Sequence, residues 1–350
     1  MEVSILPEKP CNVNVEKLEA VLKQFLADIG SKGIISVIDE QWDFIEDVVV
    51  DDEKCVAFLA HEEKNQAEDV ECLDANRVKL ERMSANESDY IHASNVEIAH
   101  IKRRFVLAQL PKLSPKCMED FWTMVYQEKL HNIYMLCSPS ESTKPAAEKF
   151  GEYFPISYGQ HEYYGVIWVN NRKVEPANDA DDHPNDIFHL EVLPEGCAES
   201  VAVTLNICPY WPDGDIATDK KKVVYTAANA LGNADSYENE PIGIISKKGA
   251  GRTGTFLAII AVIQMFKTGT PFLIKEIGHS IRTQRPGGID TRAQFIYIYV
   301  IALKYAHKNA KDKDLKSRIE ALLKDLEKAL NEETEKTAAT EEGSALISQE

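Results

Sequence analysis

The sequence predicts an α+β fold, a twisted mixed β-sheet flanked by helices. Three observations point there. Strand-like runs gather between residues 90 and 207, whereas helical patterns lie mostly toward the two ends. The apolar run Ile242–Ile245 reads as a buried strand set between two helices. That strand enters a glycine-rich turn, which opens a second apolar run of helical length, Gly251 to Phe266.

Each element has its own warrant. Residues 1–14 contain Pro7 and Pro10 and read as a flexible N-terminus. From Val15, the apolar side chains Leu18, Val21, Leu22, Phe25, Leu26 and Ile29 recur at helical spacing until Gly30 stops them. A second amphipathic helix follows at Ile34–Ile45. Strands are predicted at 90–98, 104–108 and 133–137, with a helix at 116–130 before the last of them. Residues 163–169 and 186–193 read as two hairpin strands around an acidic loop, and 200–207 as a further strand. Helices are predicted at 221–231, 251–266, 274–282 and 291–306. Beyond the domain at 15–307, Leu315, Ile319, Leu322, Leu326 and Leu330 mark an amphipathic helix over 308–330. It has three possible fates: packing on the domain, weak self-association as a short coiled coil, or standing free. Residues 331–350 are rich in Glu, Thr and Ala and read as a disordered acidic tail.

Composition bounds the function. The chain of 350 residues is 44% apolar and 27% charged, which excludes disorder for its bulk. Its net charge of −18 disfavours nucleic acid or an anionic membrane as the main partner. Residues 39–74 hold 14 acidic and 2 basic side chains, and residues 171–199 hold 8 and 2. These stretches are either solvated surface or a docking face for a basic partner. The longest apolar run, Gly254–Phe266, is too short to span a bilayer, and the first ten residues do not resemble a signal peptide. Seven cysteines (Cys11, Cys55, Cys72, Cys117, Cys137, Cys197 and Cys208) show no C-x-x-C spacing. That argues against a zinc cluster or disulfide framework and for a reducing, cytoplasmic setting. No metal or cofactor is expected.

The segment Pro241 to Gly254 carries the chemistry. Successive backbone amides at a helix N-terminus make a ready anion site. Gly249, Gly251 and Gly254 satisfy G-x-G-x-x-G, but a dinucleotide fold needs further βα units, and only two helices and a tail follow. The Walker pattern is not met either. The turn instead resembles that of the classical protein tyrosine phosphatases, H-C-[ST]-A-G-x-G-R-[ST]-G, whose second half survives as Gly249, Gly251, Arg252, Thr253 and Gly254. The resemblance extends over roughly residues 15–307. Asp74 to Leu80 is similar to D-x-x-R-V-x-L, and Asp89 to Ser94 to D-Y-I-N-A-N. Ala108, Gln109 and Pro111 resemble A-Q-G-P. Asp120 to Lys129 follows D-F-W-x-M-V-x-x-E-K, and Lys149 to Pro155 is similar to K-C-x-Q-Y-[WF]-P. Trp211-Pro212-Asp213 resembles the mobile acid loop, and Gln284 to Gly287 with Gln294 the glutamine-bearing loop. The D-Y-I-H-A and C-L-D-x-N-R-V phrasing resembles a nematode branch of the family. The resemblance implies a three-layer α/β/α arrangement around the sheet.

Family catalysis, as the resemblance implies, uses a cysteine thiolate whose pKa the turn's amides and the helix N-terminus lower. Ser246 stands at that position, and Ile245 replaces the preceding histidine. Lys247 and Lys248 replace a small hydroxyl residue and alanine. Ala67 stands where a tyrosine stacks on the substrate ring, and Asp290 where a glutamine positions water. After Asp213 the chain reads Gly214-Asp215-Ile216-Ala217 rather than x-G-x-P. The reading is therefore a pseudophosphatase, with Ser246, Asp213 and Asp290 as degenerate catalytic positions. Arg252 is either the bidentate phosphate clamp or a brace held by an acidic partner. Asp213 reads as a loop residue without a reaction to serve, and Trp211 as a packing hinge.

Three functions follow. In the first, the protein is a scaffold or regulator that binds a protein partner through its outer surface. In the second, Ser246, Lys247, Lys248, Gly249, Ala250, Gly251, Arg252 and Gln294 bind phosphate. The chain then reads and shields a tyrosine-phosphorylated partner, a kinase for example. In the third, it is a residual phosphatase with an altered substrate.

Overall fold

The computed structural model describes residues 13–30, 32–82, 86–137, 150–178, 184–232 and 240–347, with side chains up to residue 336. The flexibility expected of residues 1–12 lies outside them, as do residues 179–183 of the expected acidic loop 171–185, whose first five residues are instead strand, and the Lys149 end of one family motif. In chain order the elements begin with α1 (Val15–Ile29), α2 (Ile34–Glu46) and a single turn, α3 (Val56–Leu59). Then come β1 (Arg77–Lys79), β2 (Tyr90–Val96), β3 (Phe105–Gln109), α4 (Pro115–Gln127) and β4 (Asn132–Met135). The middle of the chain forms β5 (His161–Tyr164), β6 (Ile167–Glu175), β7 (Asp186–Pro194) and β8 (Val201–Ile207). The last part forms α5 (Lys220–Ala230), β9 (Ile242–Ser246), α6 (Gly251–Thr268), α7 (Ile274–Gln284), α8 (Arg292–Asn309) and α9 (Lys313–Ile347).

The strands form one nine-stranded mixed sheet in the order β1-β2-β3-β9-β4-β8-β7-β6-β5. Its central strands β3, β9, β4 and β8 are parallel, and both wings are antiparallel. Parallel strands are stable when both faces are covered, and here they are. Phe105, Leu107, Tyr134, Ile242 and Ile244 point into the core shared with α1, α2, α6 and α8. Their alternate neighbours Val106, Ala108, Ile133, Met135 and Ile245 point into a second core under α4. Helix α6 is apolar all round because it is buried all round, with 0–2% exposure from Arg252 through Ile263. The α+β fold read from the sequence is observed.

Two expectations are corrected. The run 163–169 is not one strand: β5 and β6 form a hairpin turning at Gly165-Val166, with Tyr164 paired to Ile167. Gly165 supplies the positive φ (61°) that such a two-residue turn requires. The C-terminal helix also runs on, from Lys313 to Ile347, without a disordered stretch at 331. Residues 331–347 contain no proline, and their five Glu and three Ala are strong helix formers, so an established helix propagates through them despite three Thr and one Gly. Its first half packs along α8 and reaches α2, burying Leu315, Ile319, Leu326 and Leu330 in the main core. Salt bridges Lys304–Glu327 at 2.9 Å and Arg292–Glu333 at 3.0 Å fasten it to α8. The apolar stripe is thus covered by the chain itself, and self-association through it would require undocking.

A chain ending at Ala310 loses four large buried side chains, each contributing about 1.5–3 kcal/mol, a total comparable to the stability of a domain. It is expected not to fold. A chain ending at Asn331 loses the partly exposed Arg292–Glu333 pair, a contribution of about 1 kcal/mol or less. Its melting temperature should fall by no more than about 3 °C; a larger drop would show that the distal half of α9 holds the domain.

Candidate functional site

The site begins where β9 ends. Ser246 is hydrogen-bonded into the sheet, its carbonyl accepting from the Leu110 amide at 2.8 Å, and the chain reverses there into α6. Gly249 lies so close to β3 that a Cβ would stand 2.3 Å from the Ala108 carbonyl carbon, and its φ is +68°. A Cβ on Gly251 would stand 2.7 Å from that of Asp290. Only glycine fits either position. Arg285, wholly buried, holds the turn from behind. Its Nε donates to the Gly249 carbonyl at 2.7 Å, Nη2 to that of Lys248 at 3.3 Å, and Nη1 to Ser94 Oγ at 3.2 Å. Among the described residues, the amides of Lys247, Lys248 and Ala250 donate to no acceptor of the chain, while Gly249 N–H donates to Ser246 Oγ at 3.1 Å. This is an anion cradle in form.

The cations around it are engaged. Arg252, 2% exposed, donates from Nη2 to Asp213 Oδ1 at 2.6 Å and from Nη1 to the Trp211 carbonyl at 3.0 Å. Lys247 Nζ lies 3.4 Å from Asp213 Oδ2, so one carboxylate of the 211–217 loop bridges both cations across the cradle. Lys248 turns outward to Asp69, at 3.1 Å. Of the turn's three cations, Asp213 thus engages two and Asp69 the third, and a further carboxylate, Asp290, lies nearby. Burial, the largest influence on Asp290, pushes its carboxyl above the ordinary range.

The 211–217 loop is anchored at both ends. Trp211 is buried, packs edge-on against Phe256 and Tyr297, and donates from Nε1 to the Asp215 carbonyl at 3.0 Å. Gln294, also buried, accepts from the Asp290 amide at 2.9 Å and from Thr255 Oγ1 at 3.3 Å, and donates to the Asp215 carbonyl at 3.4 Å. Its amide is spent on joining three segments. Ala67 is half-buried in a loop held by the Gln66 amide on Gln109 Oε1 at 2.9 Å. Ile245 is sealed in the core under α4.

A profile of the protein-tyrosine phosphatase family matches residues 61–304. The chain belongs to that family. It is 36% identical over 323 residues to a Caenorhabditis elegans protein named "putative tyrosine-protein phosphatase", covering 91% of this chain and 68% of that one. A second C. elegans protein of the same designation is 27% identical over 247 residues, covering 69% of this chain and 56% of that one. Human tyrosine-protein phosphatase non-receptor type 9 is 28% identical over 260 residues, covering 70% of this chain and 42% of that one. Against the last two, the aligned region is well under two thirds of the relative's length.

Ser246 Oγ has the Gly249 amide as its hydrogen-bond partner among the described residues, and no imidazole or carboxylate to take its proton. The cysteines elsewhere do not replace it. Cys55, Cys72, Cys137 and Cys208 are buried, and burial pushes the Cys55 and Cys208 thiols up to about 12. Arg285 falls inside the Gln284–Gly287 match, yet no local pattern reveals its role, because its hold on the turn depends on a fold that brings 285 to 249.

Asp213→Asn should release Arg252 and Lys247. A charge-assisted hydrogen bond contributes about 1.5–3 kcal/mol, so phosphate affinity, measured by calorimetry, should rise by about tenfold or more. An unchanged affinity would mean that the pair does not guard the cradle. Asp290→Asn tests the burial of that carboxyl. Because its folded pKa is raised, the native state keeps a proton that the unfolded state has lost, and stability falls as pH climbs through that window. The variant should therefore melt higher than the parent at neutral pH, with the gap closing below about pH 4. An equal gap at both pH values would exclude the carboxyl's charge as its source.

Proposed function

We propose that this chain is a non-catalytic member of the protein-tyrosine phosphatase family that works as a protein-binding scaffold or regulator. The observation that carries the reading is what the cradle contains. A hydroxyl, Ser246, stands where family chemistry needs a thiolate, under an arginine already bound by Asp213 at 2.6 Å. A serine hydroxyl is far less acidic than a cysteine thiol, and amides that suffice to ionise a cysteine leave it neutral near pH 7. An incoming phosphate would also have to displace a carboxylate tethered within hydrogen-bonding reach, which competes at high effective concentration.

One observation favours a second reading, in which the chain binds a phosphorylated partner. Among the described residues the amides of Lys247, Lys248 and Ala250 donate to no acceptor of the chain. Opening of the 211–217 loop would give such a ligand Arg252 as well.

Turnover of an aryl phosphate by the full chain should stay at background, and Ser246→Cys should restore little, because Ile245, Ala67 and Asp290 remain. Robust hydrolysis by the parent chain would overturn the proposal. Binding of matched phosphorylated and unphosphorylated tyrosine peptides separates scaffold from reader. The scaffold reading expects no preference between the peptides, and a partner affinity that Arg252→Met leaves unchanged at unchanged melting temperature.

A further inference from the structure

We propose that the exposed surface formed by the 47–51 loop, α3 and the turn at 62–64 docks a basic amphipathic helix of a partner protein. This deepens the scaffold reading and rests on it. Eight large apolar side chains are exposed among the described residues, and Phe44, Val49, Val56 and Leu59 fall within one stretch of the sequence. Single exposed apolar residues are ordinary, but a concentration of them marks an interaction site. Phe44 is spoken for, stacked on His279 and under Lys275. Val49 is 88% exposed, and Val56 and Leu59, one helical turn apart on α3, are 59% and 45% exposed.

Charge identifies what would cover them. Asp47, Asp51, Asp52, Glu53, Glu62 and Glu63 border these side chains in sequence, and all six are exposed. Among the described residues none of the six carboxylates forms a salt bridge, in contrast to Asp39, Glu40, Asp69 and Asp74, which pair with Arg292, Lys32, Lys248 and Arg77. Lys54 is the one cation of residues 47–63. Lys64, next in line, turns inward to the buried Asp120 at 2.9 Å. Exposed Val56 and Leu59 on one turn, with exposed Val49 and six carboxylates free of salt bridges close by in the chain, suit a helix with leucine-like anchors on one side and Lys or Arg beside them. Nucleic acid and anionic lipid are repelled by the same charges.

The surface is also rigid. Asp74 accepts from the Val56 and Ala57 amides at 2.8 and 3.2 Å, fixing the start of α3. Beneath it Cys55, Phe58, Cys72 and Tyr90 form a small core, with Val50, Ala57 and Leu73 packed against it. A preformed face spares a ligand the cost of ordering it.

The test uses the full chain and a fluorescent synthetic peptide of about 16 residues, Leu at i, i+3, i+4 and i+7 and Lys or Arg elsewhere. A scrambled peptide of identical composition is the control. The ordered peptide should bind at least about fivefold more tightly than the scrambled one, and hydrogen exchange should slow within residues 47–63. Val56→Ser with Leu59→Ser should weaken binding by about tenfold or more. Asp52→Asn with Glu53→Gln should weaken it and flatten its salt dependence, whereas Glu195→Gln with Glu199→Gln should not. Equal binding of the scrambled peptide, protection elsewhere, or indifference to both the apolar and the charge substitutions would overturn the proposal. So would sedimentation showing that Val56 and Leu59 are needed for a dimer instead, for example against Lys311 and Lys313 of another copy. The aryl phosphate assay is independent of these readouts. Turnover with peptide binding intact removes the non-catalytic reading alone, and absent binding without turnover removes the docking site alone.

Discussion

The close approach of the Gly249 backbone to β3 is the constraint on which the site depends. A turn that leaves β9 in the middle of a sheet, covered on both faces, has no room to wander. It must fold back against the Ala108–Gln109 peptide, at a distance that excludes any side chain. That contact sets the direction of the turn's amides, and Arg285 makes it permanent by holding the carbonyls of 248 and 249. The start of α6, and with it Arg252, is placed by the same reversal. The frame of an anion site therefore does not depend on which reactive groups the turn carries, because it is made of backbone and packing.

Electrostatics alters what that frame offers. A buried guanidinium without a partner is costly, and here the partner comes from within the chain. Asp213 lies on a loop held at Trp211 by aromatic packing and at Asp215 by Gln294, so its carboxylate arrives with little freedom left to lose. Its second oxygen faces Lys247. The two features that look most inviting to an anion in the sequence, an arginine and an added lysine, are thus balanced against one acid. Lys248 is led away to Asp69.

Much of this was legible in the sequence, for identifiable reasons. The central strands were visible because burial on both faces leaves unbroken apolar runs, and the cradle because strand, glycines and helix are contiguous. The first helix was readable because its apolar spacing is regular and Gly30 stops it, whereas the caps Ser114 and Thr291, not read as such, set starts that differ by one residue from those expected. The β5–β6 hairpin was missed because its turn is only Gly165-Val166, inside a run rich in aromatic and branched residues. β1 has three residues and takes its shape from β2. The extent of α9 was underestimated because a composition that cannot build a core can still extend a helix already docked. An acidic partner for Arg252 was one of two alternatives, and that the partner is Asp213 was not foreseen. The contact joins residues 39 positions apart, and no local pattern states which loop closes on which.

The placement of sulfur has a separate consequence. A thiolate at an open cradle is the form of cysteine that peroxides attack, since nucleophilicity and oxidisability have the same origin. This chain presents an alcohol there, and its buried thiols at Cys55 and Cys208 stay protonated far above neutral pH. Of the described cysteines, Cys197 alone is exposed. An oxidative pulse that disables a thiolate site would pass over this cradle without changing its shape or its charge, so whatever the surface binds would stay bound through it.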